Sequence, residues 1–158
     1  DHYDPLSRVV RLSETVYGSN SISAIGVAAH EVGHAIQHQQ EYSPLTLRHK
    51  LVPVTNFASS ASFPILLLGF VINSADLVML GIILFSAVVL FHVVTLPVEL
   101  NASNRAVMQL SESGIITASE VPMVKKVLGA AALTYLAATL SAIANLLYYL
   151  AIFGGSDD

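Results

Sequence analysis

Three long stretches without a charged side chain dominate this chain and limit the folds open to it. They cover residues 54–72, 77–96 and 128–153. A helix of about 20 residues rises roughly 30 Å, which is the thickness of the bilayer hydrocarbon. Only 11% of all residues are charged, whereas soluble domains have about 25%. We therefore expect a mostly α-helical membrane protein with three transmembrane helices, rather than a soluble protein with a large helical core.

Charged residues beside the apolar stretches predict how the chain crosses the membrane. The cations before the first stretch, and between the second and third, are Arg48, Lys50, Arg105, Lys125 and Lys126. The opposite connections, residues 73–76 and the tail 154–158, carry acids but no lysine or arginine. Loops rich in lysine and arginine stay in the cytoplasm. We expect residues 1–50 and 97–127 at the cytoplasmic face.

The polar N-terminal part predicts a short β element followed by a helix. Residues 9–12 have the composition of a strand and follow the turn signal Asp4-Pro5. Ser21 is a good N-cap, and apolar residues recur behind it at helical spacing. We expect a helix over about 22–40, which Pro44 prevents from continuing much further.

This predicted helix carries the sequence His30-Glu31-Val32-Gly33-His34, an H-E-x-x-H pattern. Residues four apart lie on one helical face, so both imidazoles can bind one zinc ion. Glu31 then sits beside the metal, where it can take a proton from a zinc-activated water and pass it to the leaving amine. The pattern predicts a zinc peptidase, and its alternative is a surface helix with two solvated histidines.

A catalytic zinc ion needs a third protein ligand and an open position. Glu99, just after the second apolar stretch, is the best placed acid. Asp76 falls on the opposite side in the predicted topology, and Glu41 is about 10 Å further along the metal helix. The helical face of Glu99 carries small residues that allow close packing, namely Ala102, Ser103 and Ala106. The alternative is a simple charge at the membrane boundary.

Three further residues are candidates for supporting roles. His38 lies one turn beyond the second histidine, where a place behind the ligands or on the surface is favoured over a fourth ligand. His92, seven residues before Glu99, can stabilise the oxyanion from the membrane side or be an ordinary hydrogen-bonded histidine. Arg105 can bind a substrate carboxylate, pair with an acid, or be an interfacial cation.

The downstream E-x-x-A at Glu99 to Ala102 looks like the gluzincin arrangement of membrane zinc peptidases. More narrowly, the chain resembles the YugP-like family of bacterial membrane zinc metallopeptidases. The matching segments are 1–5, 10–13, 28–38 and 96–103. The resemblance implies a helical peptidase of the bacterial cell membrane, with its zinc site near the cytoplasmic surface. It also implies a missing N-terminal part, another span and a small α/β piece, which fits a chain that begins at Asp1.

The chain also departs from related zinc peptidases. A metzincin needs glycine and histidine where Gln37 and Gln40 stand. The thermolysin-like acid four residues after the third ligand is replaced by Ser103. The hydrogen-bond partner that would orient His30 or His34 is therefore unassigned. Ser103 itself is a candidate for that place or for stabilising the oxyanion. The aspartate motif of intramembrane site-2 proteases is absent, which favours cleavage at the bilayer surface.

We therefore predict a single membrane metalloendopeptidase domain over residues 1–158, with one zinc ion. Its substrates would be unfolded or membrane-associated protein segments, and lipid would surround it. The net charge of −4 gives no basic excess for nucleic acid, and the absence of cysteine excludes disulfides and thiolate ligands.

Two alternatives stay open. One is a zinc-binding scaffold or regulator with a closed site of four protein ligands. The other is a transporter that uses His92 and Glu99 as a proton relay. The sequence predicts neither the oligomeric state nor a protein partner.

Overall fold

Five helices and one hairpin make up residues 1–153, the part of the chain that this computed structural model describes. In chain order they are β1 (His2–Asp4), β2 (Val9–Arg11), α1 (Glu14–Tyr17), α2 (Ile22–Gln39), α3 (Ser43–Val71), α4 (Ala75–Glu112) and α5 (Val121–Phe153). The predicted mostly helical fold with a small N-terminal β element is confirmed. The tail 154–158, used in the topology prediction, lies outside the described residues.

The N-terminal hairpin pairs β1 and β2 antiparallel. The sequence predicts β2, whereas β1 is found where only a turn signal was recognised. The Asp4 carboxylate closes the turn, because it accepts hydrogen bonds from the backbone N–H groups of Leu6 at 2.9 Å and Ser7 at 3.2 Å. These bonds, that of Ser7 first, lower the pKa of Asp4 to about 2. Both strands contact α2.

Helix α2 begins and ends as the sequence predicts. The Ser21 hydroxyl accepts a hydrogen bond from the Ala24 backbone N–H at 3.1 Å, which satisfies one of the orphan donors of the first turn. The helix ends at Gln39. Pro44 then occupies the first turn of α3, where the missing N–H of proline is tolerated.

Helices α3, α4 and α5 are long and apolar enough to cross a membrane. Each extends beyond the apolar stretch that predicts it, and α4 continues through the polar residues after Leu96 to Glu112. Ser113-Gly114 and Val121-Pro122 predict breaks in this helix, and α4 does end at Glu112, just before the first pair. The short amphipathic helix expected after the breaks is wrong, because the long helix α5 follows instead. Val121 is the first residue of α5, because a proline in the first turn costs the helix no hydrogen bond.

Contacts divide the chain into two compact units. The first contains Asp1–Thr46 and Leu96–Tyr135, and the second contains Leu47–Thr95 with the residues from Leu136 onward. The core of the first unit is built from α2, α4, α5 and the segment between the last two, with the buried residues Ala29, Ala106, Leu110, Ile116, Val124 and Leu128.

The second unit consists of helical segments with apolar contacts. The rings of Phe85 and Tyr149 meet edge to face with centroids 5.3 Å apart. A Cβ added at Gly81 would lie 3.1 Å from the backbone nitrogen of Leu66, so α3 and α4 approach each other closely there. Large apolar side chains such as Phe63 and Phe70 are exposed, as expected for a surface that faces lipid.

Candidate metal centre

Helices α2 and α4 bring His30, His34 and Glu99 to one point in the first unit. The Nε2 atom of His30 is 2.8 Å from Glu99 Oε2, and that of His34 is 3.3 Å from Glu99 Oε1. One possible ligand atom from each residue lies within 4.8 Å of the others. These are the three residues that the sequence analysis proposes as zinc ligands.

A close approach of two backbones makes this meeting possible. A Cβ added at Gly33 would overlap the carbonyl oxygen of Ala102 and would lie 3.0 Å from its carbonyl carbon. Ala102 and Ala106 are fully buried in the contact. Only glycine at this position of the H-E-x-x-H pattern lets α4 come near enough for Glu99 to reach both imidazoles.

His34 is held from behind by a buried amide. Its Nδ1 lies 2.9 Å from Gln37 Oε1. The Nε2 of Gln37 donates to the Val98 carbonyl at 2.8 Å and to Asn101 Oδ1 at 3.0 Å. Since the amide nitrogen is used in these bonds, the amide oxygen accepts the proton of His34 Nδ1. The Nε2 lone pair of His34 is then directed at the metal position.

His30 is oriented by a hydroxyl group instead. Its Nδ1 is 2.9 Å from the Ser103 Oγ, on the same helix as Glu99. Ser103 stands where a thermolysin-like site has an acid, and it takes the place behind the ligand that the sequence leaves unassigned. Both imidazoles therefore use Nδ1 for orientation and present Nε2 to the cluster.

The chemistry of this donor set fits a zinc ion. Two imidazole nitrogens and one carboxylate, without a thiolate, form a known catalytic zinc set with three protein ligands. Metal-ligating histidines almost always have a hydrogen-bond partner on their second nitrogen, as both do here. His30, His34 and Glu99 would hold the ion.

Glu31 lines a cavity of about 230 Å³ together with His30 and Glu99. Burial raises the pKa of Glu31 more than His34 and His30 lower it, which brings this carboxylate closer to the operating range of a general base. Apolar residues of α5 and the ring of Tyr135 complete the wall. An acid-base group therefore lies beside the ligand set at an opening large enough for small groups.

The pKa of His34 has opposing contributions. Burial lowers it, but the hydrogen bond and negative charge of Glu99, with help from Gln37 and Glu31, outweigh burial and raise it. Because a metal ligand must be the neutral imidazole, a metal ion and a proton compete for His34.

Arg105 lies in the network behind the ligands. Its Nε donates to Asn101 Oδ1 at 2.7 Å, and its guanidinium also donates to Gln40. The same group lies over the Tyr42 ring, 5.6 Å from the centroid. Asn101 in turn accepts from Gln37, so Arg105 supports the group that orients His34.

The two remaining histidine candidates lie outside the cluster. His38 Nδ1 and the Tyr3 hydroxyl are joined by a hydrogen bond of 2.6 Å, which fastens the hairpin to α2. His92 lies in the second unit, where its backbone carbonyl accepts from the Thr139 hydroxyl at 3.4 Å. The proposed roles of both residues at the metal stay predictions.

Three residues near the site were missed by the sequence analysis. Gln37 follows His34 by three residues, so helical spacing alone places the two side chains together. Asn101 lies in the same polar segment as Glu99. Tyr135 lies in the third apolar stretch, and no pattern in the sequence connects it with the H-E-x-x-H helix.

Comparisons with known proteins show the family of this chain. The model of a family described as "Putative neutral zinc metallopeptidase" matches residues 1–154. "Putative membrane protease YugP" from Bacillus subtilis (strain 168) is 55% identical over 159 residues, which cover 100% of this chain and 71% of that protein. No solved structure matches the chain.

Proposed function

This chain belongs to the neutral zinc metallopeptidase family, and on that premise we propose that it is a membrane zinc endopeptidase. His30, His34 and Glu99 bind one zinc ion, and Glu31 is the catalytic base. The observation that carries the proposal is the convergence of two Nε2 atoms and a buried carboxylate, next to a cavity that is lined by His30, Glu31 and Glu99.

When bound, zinc supplies Lewis-acid activation of a water and of the peptide carbonyl. The remaining work belongs to side chains of this chain. Glu31 takes a proton from the attacking water and passes it to the leaving nitrogen. Gln37 and Ser103 keep the two imidazoles in the orientation that ligation requires.

The surroundings of the site favour action at a membrane surface. Three candidate spans and the cations that flank them support a site at the cytoplasmic face of the bacterial cell membrane, in contact with lipid. Substrates are unfolded or membrane-associated protein segments, because an extended chain can enter a narrow cavity. A non-catalytic zinc scaffold would need a fourth protein ligand, and the cluster within residues 1–153 has three.

The test compares Glu31→Gln with Glu41→Gln in detergent-solubilised protein loaded with zinc. Both variants remove one carboxylate near α2, but Glu41 follows the helix and is exposed. Glu31→Gln should lower the rate of hydrolysis of an unfolded fluorogenic protein by about 10²–10⁴-fold and keep its zinc. Glu41→Gln should behave as the parent. Wild-type turnover by Glu31→Gln would overturn the assignment of the base.

A further inference from the structure

A second cavity lies next to the cavity at the metal cluster, within the first unit. This second cavity, of about 600 Å³, shares Ser103, Leu128 and Ala132 with the first. It lies between α4 and α5 and extends along α5 to Gly129 and Lys125. The two cavities are therefore neighbours, and we call them together the α4/α5 groove, one end of which lies at the proposed ligands and at Glu31.

The walls of the second cavity differ in charge from those of the first. The metal end contains the carboxylates of Asp1, Glu31 and Glu99. The far end contains no acid, and its charged side chain is Lys125, which forms no ion pair within residues 1–153. Between these ends the wall is largely apolar, with side chains such as Leu100, Val107 and Met108.

Gly129 leaves the groove open at its middle. A Cβ added there meets no atom within 4 Å, although Gly129 is inside a helix where glycine costs about 1 kcal/mol relative to alanine. Neither backbone conformation nor helix packing requires glycine at this position. Space for a bound chain is a physical reason for the missing side chain.

We propose that the α4/α5 groove binds the substrate on one side of the scissile bond and determines specificity. It takes an extended segment with aliphatic residues next to the cleaved bond and an acidic group about three residues away. Ala132 and Lys125 are seven residues apart on α5, roughly 10 Å along its axis, which corresponds to about three residues of extended chain. The inference rests on the proposed peptidase function, since it assigns the substrate of that site.

The test measures peptide binding, so that it does not depend on turnover. The probes are fluorescent peptides with a central aliphatic run and either aspartate or lysine three residues beyond it. Binding to the zinc-loaded Glu31→Gln protein is followed by fluorescence anisotropy. Gly129→Leu should fill the groove and weaken binding by about 10- to 100-fold, the factor for losing burial of one aliphatic side chain.

The matched control is Ala130→Leu, which places the same leucine side chain at an exposed neighbour that lines neither cavity. It should bind the peptides as the parent does. Gly129→Ala and Gly129→Val give a graded series if the leucine variant folds poorly, and zinc content reports on folding. Equal peptide affinity across the series would contradict the proposal that the groove binds substrate.

Lys125 gives a second, independent reading. The parent should prefer the aspartate peptide by about two- to fivefold, as expected for an exposed ion pair, and Lys125→Glu should prefer the lysine peptide. Lys126→Glu is the control for net charge, because Lys126 does not line the groove. An unchanged preference in Lys125→Glu would contradict the acidic part of the proposal.

Failure of the groove and failure of the peptidase can be told apart. Gly129-dependent binding without any hydrolysis by the wild-type protein would support the groove and contradict the peptidase. Hydrolysis by the wild-type protein, together with peptide affinity that does not change when Gly129 is substituted, would support the peptidase function and contradict the proposed role of the groove.

Discussion

The two compact units differ in how completely their buried polar side chains are hydrogen-bonded. In the first unit, His34, Gln37 and Glu99 are buried and have hydrogen-bond or ion-pair partners. In the second unit, the hydroxyls of Thr55 and Thr95 are buried without a hydrogen-bond partner among the described residues. Burial of a polar group costs free energy unless a partner compensates for it. Because the buried Thr139 hydroxyl of the second unit does donate to a backbone carbonyl, the difference between the units lies in the two unpartnered hydroxyls of the second and the connected side-chain network of the first.

The change occurs within one helix. Thr95 and Glu99 both lie on α4, four residues or about one turn apart. The apolar part of the helix ends there, and the polar network begins. The proposed ligand Glu99 therefore lies where α4 leaves its apolar region, and neighbouring polar groups there satisfy the buried carboxylate.

The largest effect is expected from Glu99→Ala. The variant removes the carboxylate that faces both imidazoles, so zinc affinity should fall by more than the roughly 10–100-fold that loss of a supporting residue costs. Zinc titration with a competing chelator measures the loss. Glu112→Ala, at the exposed end of the same helix, should bind zinc like the parent, and similar losses in the two variants would contradict the ligand assignment.

The next effect is expected from Gly33→Ala. The new methyl group would overlap the Ala102 carbonyl and push α4 away from α2, at a cost of about 1–3 kcal/mol for overpacking. The midpoint temperature of thermal unfolding and the zinc content should both fall. Gly26→Ala on the same helix is the control, since its Cβ would lie 3.7 Å from Val124 Cγ1 in ordinary contact. A stabilised, zinc-replete Gly33→Ala protein would show that the helices do not meet as described.

A smaller effect is expected from the residues behind the histidines. Gln37→Leu removes the acceptor of His34 and the amide hydrogen bonds to the Val98 carbonyl and Asn101, whereas Ser103→Ala removes a single bond to His30. Zinc affinity should fall by about 10–100-fold, more in Gln37→Leu than in Ser103→Ala. Isothermal calorimetry measures the zinc affinity of both variants. Parent-like affinity in both would show that the polar network does not support zinc binding.

The smallest effect is expected in the second unit. Thr95→Val and Thr55→Val replace buried hydroxyls that have no hydrogen-bond partner within residues 1–153 with methyl groups of similar size, so stability should stay equal or rise slightly. Zinc content and peptide hydrolysis should not change. A clear loss of activity in either variant would mean that the second unit takes part in the chemistry, and the contrast between the units would no longer hold.

The sequence predicts the parts of this molecule that depend on local pattern. The spacing of His30 and His34 and the length of the apolar stretches are local, and so is the Ser21 cap. Glu99 could be proposed because acids are scarce and topology excludes others. β1 could not be recognised, since three residues beside a turn signal carry little periodicity. Tyr135 lies in the site cavity through the packing of α5, which no local pattern encodes.

X-ray absorption at the zinc edge, on protein purified without added metal, is the decisive measurement for the proposed zinc ligands. The proposed ligand set predicts one zinc ion per chain with two imidazole nitrogens and carboxylate oxygen as protein donors, and a spectrum that loses the carboxylate contribution in Glu99→Ala. Protein without zinc, or a spectrum that is identical in Glu99→Ala, would contradict it.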